Sequence, residues 1–419
     1  MSNTQKKNVP ELRFPGFEGE WEEKQLGEIS EQSMYGIGAS ATNFDSKNIY
    51  IRITDIDEKS RNLNYKNLTT PDEINDKYKL KRNDILFART GASTGKSYIH
   101  KEEKDNYNYY FAGFLIKFEI NQLNSPMFIY QFTLTSKFNN WVKVMSVRSG
   151  QPGINSEEYA KLPLVLPSKL EQQKIGEFFS KLDRQIELEE QKLELLQQQK
   201  KCYMQKIFSQ ELRFKDENGE DYPEWENVML QKVLKDKTEG IKRGPFGGAL
   251  KKDIFVESGY AVYEQRNAIY DISNFRYYID ENKYNEMISF SVQPNDIIMS
   301  CSGTIGRLSL IPQNFTKGII NQALIRFRTN HKIRSEFFLI FMRSNQMQRK
   351  ILEANPGSAI TNLVPVKELK LIPFPLPVKF EQDKISQFIL IINRRIEQSE
   401  KKIESLKNRK QGFLLKLFV

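Results

Sequence analysis

Between Ile175 and Ile207 the apolar residues fall at 175, 179, 182, 186, 193, 196, 203 and 207. With Glu189 and Lys200 filling the remaining turns, the spacing alternates four and three without a break. Such a seam predicts a long helix that pairs with another. The pattern returns at Ile385, Ile389, Ile392, Ile396, Ser399, Ile403, Leu406, Lys410, Phe413 and Leu417. One antiparallel register sets Leu182 against Leu417, Ile186 against Phe413, Leu193 against Leu406, Leu196 against Ile403 and Tyr203 against Ile396. It also puts Glu189 opposite Lys410 and Lys200 opposite Ser399, and polar pairs at seam positions fix register. Elsewhere the periodicity changes. Residues 11–167 and 211–377 carry short β-leaning runs such as Ile49–Ile53 and Ala261–Tyr263, broken by Asp- and Gly-containing turns. Modest helices are expected near 125–145 and 334–352.

The pattern is written twice. LPLVLPSKLEQQKIGEFFSKLDRQIE at 162–187 matches IPFPLPVKFEQDKISQFILIINRRIE at 372–397, and the match runs on without a gap until Phe208 meets Phe418. Glu11-Leu12-Arg13-Phe14 matches Glu211-Leu212-Arg213-Phe214, each followed by Gly-Glu and a tryptophan, Trp21 and Trp225. The chain ends at Val419, the counterpart of Ser209, and begins where Gln210 and Glu211 have their counterparts, so the repeat nearly closes into a ring. The termini are expected to lie close together, with approximate two-fold symmetry inside one chain.

A third pair decides how to read GASTGKS at 91–97. A nucleotide loop needs four residues between its first glycine and the Gly-Lys pair, and must open a helix. Gly91 and Gly95 enclose three, and Ser97-Tyr98-Ile99-His100 leans to β. Asp84–Gly91 instead matches Asp296–Gly303, and Thr94-Gly95-Lys96 matches Ile305-Gly306-Arg307 one residue sooner. The segment is half of a duplicated strand–loop–strand element.

The 419 residues carry formal net charge +10, with two cysteines and two histidines. That leaves no disulfide framework, makes a Cys/His zinc site untenable and leaves little for triad chemistry. No metal site and no catalytic residue is assigned. The chain has no signal-like start and no apolar run of membrane-spanning length, which places it in the cytoplasm. A basic surplus suits a polyanion, nucleic acid first, against the plainer reading of solubility charge. Arg, Gln and Asn can read base edges, while hydroxyls and cations reach phosphates. On that chemistry the candidate DNA-binding residues are Arg52, Arg89, Thr90, Ser93, Thr94, Lys96, Arg148 and Gln151 in the first half. In the second they are Lys242, Arg243, Phe246, Arg266, Asn267, Ser302, Thr304 and Arg307. The competing reading of each loop is a hairpin with a solvated basic tip. About 33 helical residues span ~50 Å, more than the ~34–36 Å of one DNA turn, so such a rod could hold two readers apart along a duplex.

Enzyme motifs are scarce. An amino-methyltransferase tetrad needs Pro-Pro, which is absent. Pro71-Asp72 with Glu102-Glu103-Lys104 fits a loose nuclease pattern that has no counterpart in the second half.

The Leu-Pro-x-x-x-Glu-Gln-x-Lys-Ile segment, present as Leu166-Pro167…Glu171-Gln172…Lys174-Ile175 and Leu376-Pro377…Glu381-Gln382…Lys384-Ile385, resembles that of type I restriction–modification specificity subunits. So do the paired hairpins and the two divergent globular regions. The resemblance covers essentially the whole chain. It implies an α+β fold of two pseudo-two-fold-related mixed α/β domains separated by two long antiparallel coiled-coil helices. The expected parts are a first target-recognition domain at 1–167, a central helix at 168–209, a second domain at 210–377 and a C-terminal helix at 378–419. The implied partners are double-stranded DNA with a bipartite target, two methyltransferase subunits docked on the helices, and restriction subunits. S-adenosylmethionine, ATP and magnesium would be used by those partners, with no cofactor in this chain. A self-contained DNA methyltransferase or nuclease would need a cofactor loop or metal carboxylates. A structural adaptor would show no salt-dependent DNA affinity.

Overall fold

A computed structural model describes residues 8–101, 106–246, 248–353 and 365–419, and for residues 237, 238, 352 and 353 it describes the backbone alone. Glu102, Glu103 and Lys104 of the loose nuclease pattern, and Gly247, lie outside the described residues. The chain forms two compact units, Met1–Gln191 with Glu400–Val419, and Lys192–Ser399. No helix among the described residues is long and apolar enough to cross a membrane.

In the first unit an antiparallel sheet runs in the order Ser30–Tyr35, Leu115–Ile120, Ile85–Ala88, Ser97–Ile99. The second unit repeats the order with Ile241–Arg243, Leu324–Phe327, Ile297–Ser300 and Leu308–Leu310. The two central strands, Ile85–Ala88 and Ile297–Ser300, are buried at every position, as sheets covered on both faces require. A short parallel pair stands beside each: Asn48–Ile51 with Asn108–Phe111, and Tyr260–Tyr263 with Gly318–Ile320. The expected helices form as Pro126–Phe132 with Ser136–Met145, and Ser335–Met342 with Asn345–Glu353. Ser125 and Thr135 cap the first two by accepting from the backbone N–H of Phe128 and Phe138.

The long helices span Lys169–Phe208 (40 residues) and Lys379–Lys416 (38 residues). Each is divided between the two units rather than standing apart. Ile175 and Phe179 lie in the first core, with Leu414, Leu417 and Phe418 from the end of the chain. Ile385, Ile389 and Ile392 lie in the second core, with Ile207. Phe418 packs at tilted angles among Phe128, Phe132 and Phe179, as Phe208 packs tilted or edge-on among Trp225, Phe337 and Phe341.

The repeated sequence segments turn out to be one joint built twice. Leu12 N–H donates to the carbonyl of Lys416 at 2.9 Å, and Leu212 N–H to that of Lys206 at 3.0 Å. The start of the described chain therefore sits at the end of the last helix, as the near-closure of the repeat requires. Arg13 forks onto Glu171, Nε and Nη2 each 2.7 Å from a carboxylate oxygen, and Arg213 forks onto Glu381 at 3.2 and 2.9 Å. The next residue does a separate task. Gln172 accepts from Ser125 N–H and donates to the Pro167 carbonyl, while Gln382 accepts from Arg334 N–H and donates to that of Pro377. Glu-Gln thus ties the start of each long helix to the residues before it, to the Glu-Leu-Arg-Phe segment and to the helical layer.

The helices pair antiparallel within each unit, but one heptad away from the register read from the seam. Phe413 stands edge-on to Phe178 rather than level with Ile186, with ring centroids 4.9 Å apart, and Tyr203 meets Phe388 rather than Ile396, at 5.1 Å. Lys410 pairs with Asp183 at 2.6 Å, and Glu189 with Lys402 at 2.8 Å, so the expected Glu189–Lys410 pair is not formed. A seven-residue slip keeps Ile186 against Leu406 and Leu196 against Ile396 but sets Leu182 against Lys410, Glu189 against Ile403, Leu193 against Ser399 and Lys200 against Ile392, so matching like with like along the seam favours the register that is not formed. Rings beside the seam and flanking charges choose the one that is. Lys410→Glu should therefore lower the stability of the first unit by about 1 kcal/mol in urea denaturation, with part recovered by adding Asp183→Lys. A neutral Lys410→Glu would contradict this register.

Candidate nucleic-acid interface

Each hairpin is held from behind. Asp84 accepts from Lys81 N–H at 2.9 Å and lies 3.3 Å from the buried Lys117 ammonium. Asp296 accepts from Gln293 N–H at 2.7 Å and from both arms of Arg328 at 2.8 Å. These aspartates, which open the repeated motif, are frame rather than reading groups. Burial raises the Asp84 carboxyl above its ordinary range, against the pull of Lys81 N–H and Lys117.

The loop of the first hairpin needs its glycines. Gly91 and Gly95 have φ of +77° and +89°, and a Cβ on Gly95 would come within 2.6 Å of Val142. Gly95 N–H donates to Tyr159 Oη, which itself donates to the Ala88 carbonyl at 2.7 Å. Thr94 Oγ1 closes the turn onto the Gly91 carbonyl at 2.8 Å. Above it, the exposed Gln151 brings Nε2 to 2.9 Å from where a Cβ of Gly91 would stand. Arg89 lies with its guanidinium 4.8 Å from the Tyr35 ring centroid. Thr90 and Ser93 are half-buried on the same loop. Arg52 and Arg148 are partly exposed but clamped, the first onto Asp55 and the second onto Glu158.

The second loop repeats the backbone with different side chains. Gly303 and Gly306 have φ of +60° and +80°, and Gly306 N–H donates to Ser300 O as Gly95 N–H does to Ala88 O. Gln265 Nε2 lies 3.4 Å from the place of a Gly303 Cβ, the counterpart of Gln151 over Gly91. Thr304 and Arg307 are exposed and Ser302 is half-buried. Arg243 approaches Cys301, whose thiol burial pushes up and Arg243 draws down. Lys242 lies 4.8 Å from the Phe290 ring centroid, Arg266 is half-buried, and Phe246 is 87% exposed.

Two candidates are corrected. Lys96 is 6% exposed; its ammonium donates to the carbonyls of Ile53 and Ile56 and pairs with Glu58. Asn267 is 1% exposed, accepting from Glu264 N–H and donating to the carbonyls of Ile272 and Asn274. Both are bound inside the fold because backbone polar groups turned inward there have no water to satisfy them. Neither side chain is presented at the surface. Lys96→Met should cost about 1–3 kcal/mol of stability and leave the salt dependence of DNA affinity unchanged, whereas Arg307→Ala should lower that slope by roughly 0.9. A salt titration of both variants checks the pair; equal slopes would contradict it.

Other surface groups escaped the sequence reading: Tyr35, Phe114 (63% exposed) and Tyr270 (69%). Tyr35 and Phe114 each adjoin a glycine, Gly36 and Gly113, and an aromatic beside a glycine outside the seam was the available signal.

The type I restriction modification DNA specificity domain matches residues 18–198 and 247–408. The chain belongs to that family. It is a type I specificity subunit with two tandem recognition regions, and DNA sequence specificity is its role. The putative type I restriction enzyme MjaX specificity subunit of Methanocaldococcus jannaschii is 25% identical over 407 residues, 94% of this chain and 92% of that one. The MjaVIII specificity subunit of the same organism is 22% identical over 79% of this chain and 77% of its own length. The crystal structure of the S subunit from M. genitalium shares the fold, with TM-score 0.60 over 98% of this specificity subunit and 99% of that chain at 16% identity.

Proposed function

We propose that each unit reads one half of a bipartite duplex target, the first through Arg89, Thr90, Ser93 and Gln151, the second through Arg243, Gln265, Ser302, Thr304 and Arg307. One observation carries this reading: the same four-stranded frame and the same glycine-bent hairpin present different side chains in the two units. A shared frame with divergent loops suits two readers of different sequence, since base edges are read by side chains and position is held by backbone contacts. The chain itself does no chemistry. It acts in the cytoplasm with two methyltransferase subunits and with restriction subunits, and S-adenosylmethionine, ATP and magnesium are used by those partners. Selection from randomised duplexes by the chain assembled with methyltransferase subunits should recover two short sequence blocks at a fixed gap. Recovery of a single continuous block, or of none, would contradict the reading.

A further inference from the structure

In the second unit a cleft of about 910 Å³ opens between the long helix at Gln197–Ser209 and the turn and helix at Arg343–Lys350. Five cations line it: Lys200 and Lys201 on one wall, and Arg343, Arg349 and Lys350 on the other. No Asp or Glu is among its described lining residues. Its floor is apolar, from Met204, Phe208 and Ile396. Burial lowers the Lys200 pKa and Arg343 lowers it further, while Arg343 itself pairs with Asp271 at 3.2 Å, outside the lining.

The first unit supplies an internal comparison. Lys410 is the repeat counterpart of Lys200, and it lines a smaller cleft of about 370 Å³. That cleft holds Glu58, Asp183, Glu187 and Glu190, and two of its four lysines pair with them, Lys410 with Asp183 and Lys407 with Glu190, both at 2.6 Å. In the second unit the counterpart of Asp183 is Asn393. One cleft thus carries carboxylates among its described lining residues and the other carries none, the Asp271 that pairs with Arg343 lying outside the lining. The cationic one also adjoins the reading loop. Arg343 Nη2 donates to the Leu308 carbonyl at 2.6 Å, and Gln348, on the short helix that follows, donates to the Gly306 carbonyl at 3.0 Å.

We infer that this cleft takes the phosphodiester backbone of the duplex beside the half-site read by the second unit, anchoring that unit and not the first by charge. The inference rests on the proposed reading of DNA by both units. Cations on two facing walls suit a polyanionic strand, and continuity with the Gly303–Gly306 loop favours DNA over an acidic protein segment.

The test measures affinity for a non-specific duplex against salt, using the chain assembled with its methyltransferase subunits. Lys200→Gln, Lys201→Gln, Arg349→Gln and Lys350→Gln together should reduce the slope of log affinity against log salt by ~2 or more, at about 0.9 per lost phosphate contact. Lys407→Gln with Lys410→Gln should leave it unchanged. Lys200→Arg with Lys201→Arg should keep the parent slope, which separates loss of charge from loss of fold. A parent that binds duplex with a slope indifferent to the four substitutions would overturn the cleft and leave the two-reader proposal standing. Polyglutamate binding that the four substitutions abolish, with duplex binding intact, would overturn it in favour of an acidic protein partner. A parent assembly with no duplex affinity would sink the two-reader proposal and the cleft's ligand together.

Discussion

Glu381→Ala should destabilise the second unit by about 3 kcal/mol. The Glu381 side chain is 0% exposed and holds three groups: both arms of the Arg213 fork, and Trp225 Nε1 at 2.8 Å. Removing a buried partner leaves the remaining charge and donors uncompensated, which costs about 3–5 kcal/mol. Arg213 keeps 21% exposure and a bond to the Pro223 carbonyl, so the lower figure applies. The first unit offers a graded comparison. Glu171 holds Arg13 alone, and Trp21 Nε1 has no hydrogen-bond partner among the described residues. Arg13 also keeps bonds to the carbonyls of Glu18 and Gly19. Glu171→Ala should therefore cost less than Glu381→Ala. Hydrogen exchange at 211–228 and at the start of the second long helix reads the local loss. Protection unchanged at 211–228 in Glu381→Ala would show that the fork does not hold the joint.

Gln151→Ala combined with Arg89→Ala should reduce modification of target DNA by about 10- to 100-fold and relax preference in one half-site only. A bidentate side-chain contact to a base is worth about 1–3 kcal/mol of discrimination, roughly tenfold per 1.4 kcal/mol. Neither substitution disturbs the frame. Arg89 supports the loop through its backbone, whose carbonyl accepts from Ile154 N–H at 2.9 Å and whose N–H donates to the Phe114 carbonyl, while Gln151 is exposed. Gln265→Ala should relax the other half. Modification rates on duplexes varied one half at a time read the effect; equal relaxation of both halves would count against separate readers.

The duplication, both hairpins and the paired helices were legible in the sequence, because each rests on a repeated spacing or a glycine that the backbone requires, and the DNA role through the basic surplus and the family resemblance. Burial of polar side chains was not. Lys96 and Arg307 occupy matching places after a glycine, yet one turns inward to the carbonyls of Ile53 and Ile56 and the other faces solvent. Nothing local distinguishes them, since the carbonyls that capture Lys96 belong to a segment some forty residues away. The clamp on Arg52 lay within reach, because Asp55 follows at three residues. The coiled-coil register was hidden for another reason: matching like with like along the seam favours the register that is not formed, and Phe178 and Phe388, whose ring contacts mark the one that is, lie beside the seam. The Glu-Gln pair was visible as a signature, but its work joining three segments could be seen only once Arg13, Arg213, Ser125 and Arg334 were placed.

The most direct test is genome-wide mapping of methylated bases in cells carrying this chain with its methyltransferase subunits, for the parent and for Gln151→Ala with Arg89→Ala. Two specified blocks separated by a fixed unspecified gap, with one block degraded in the variant and the other intact, is the result that two independent readers require. A continuous motif in the parent, or loss of both blocks together in a variant that still assembles, would contradict the assignment of one half-site to each unit.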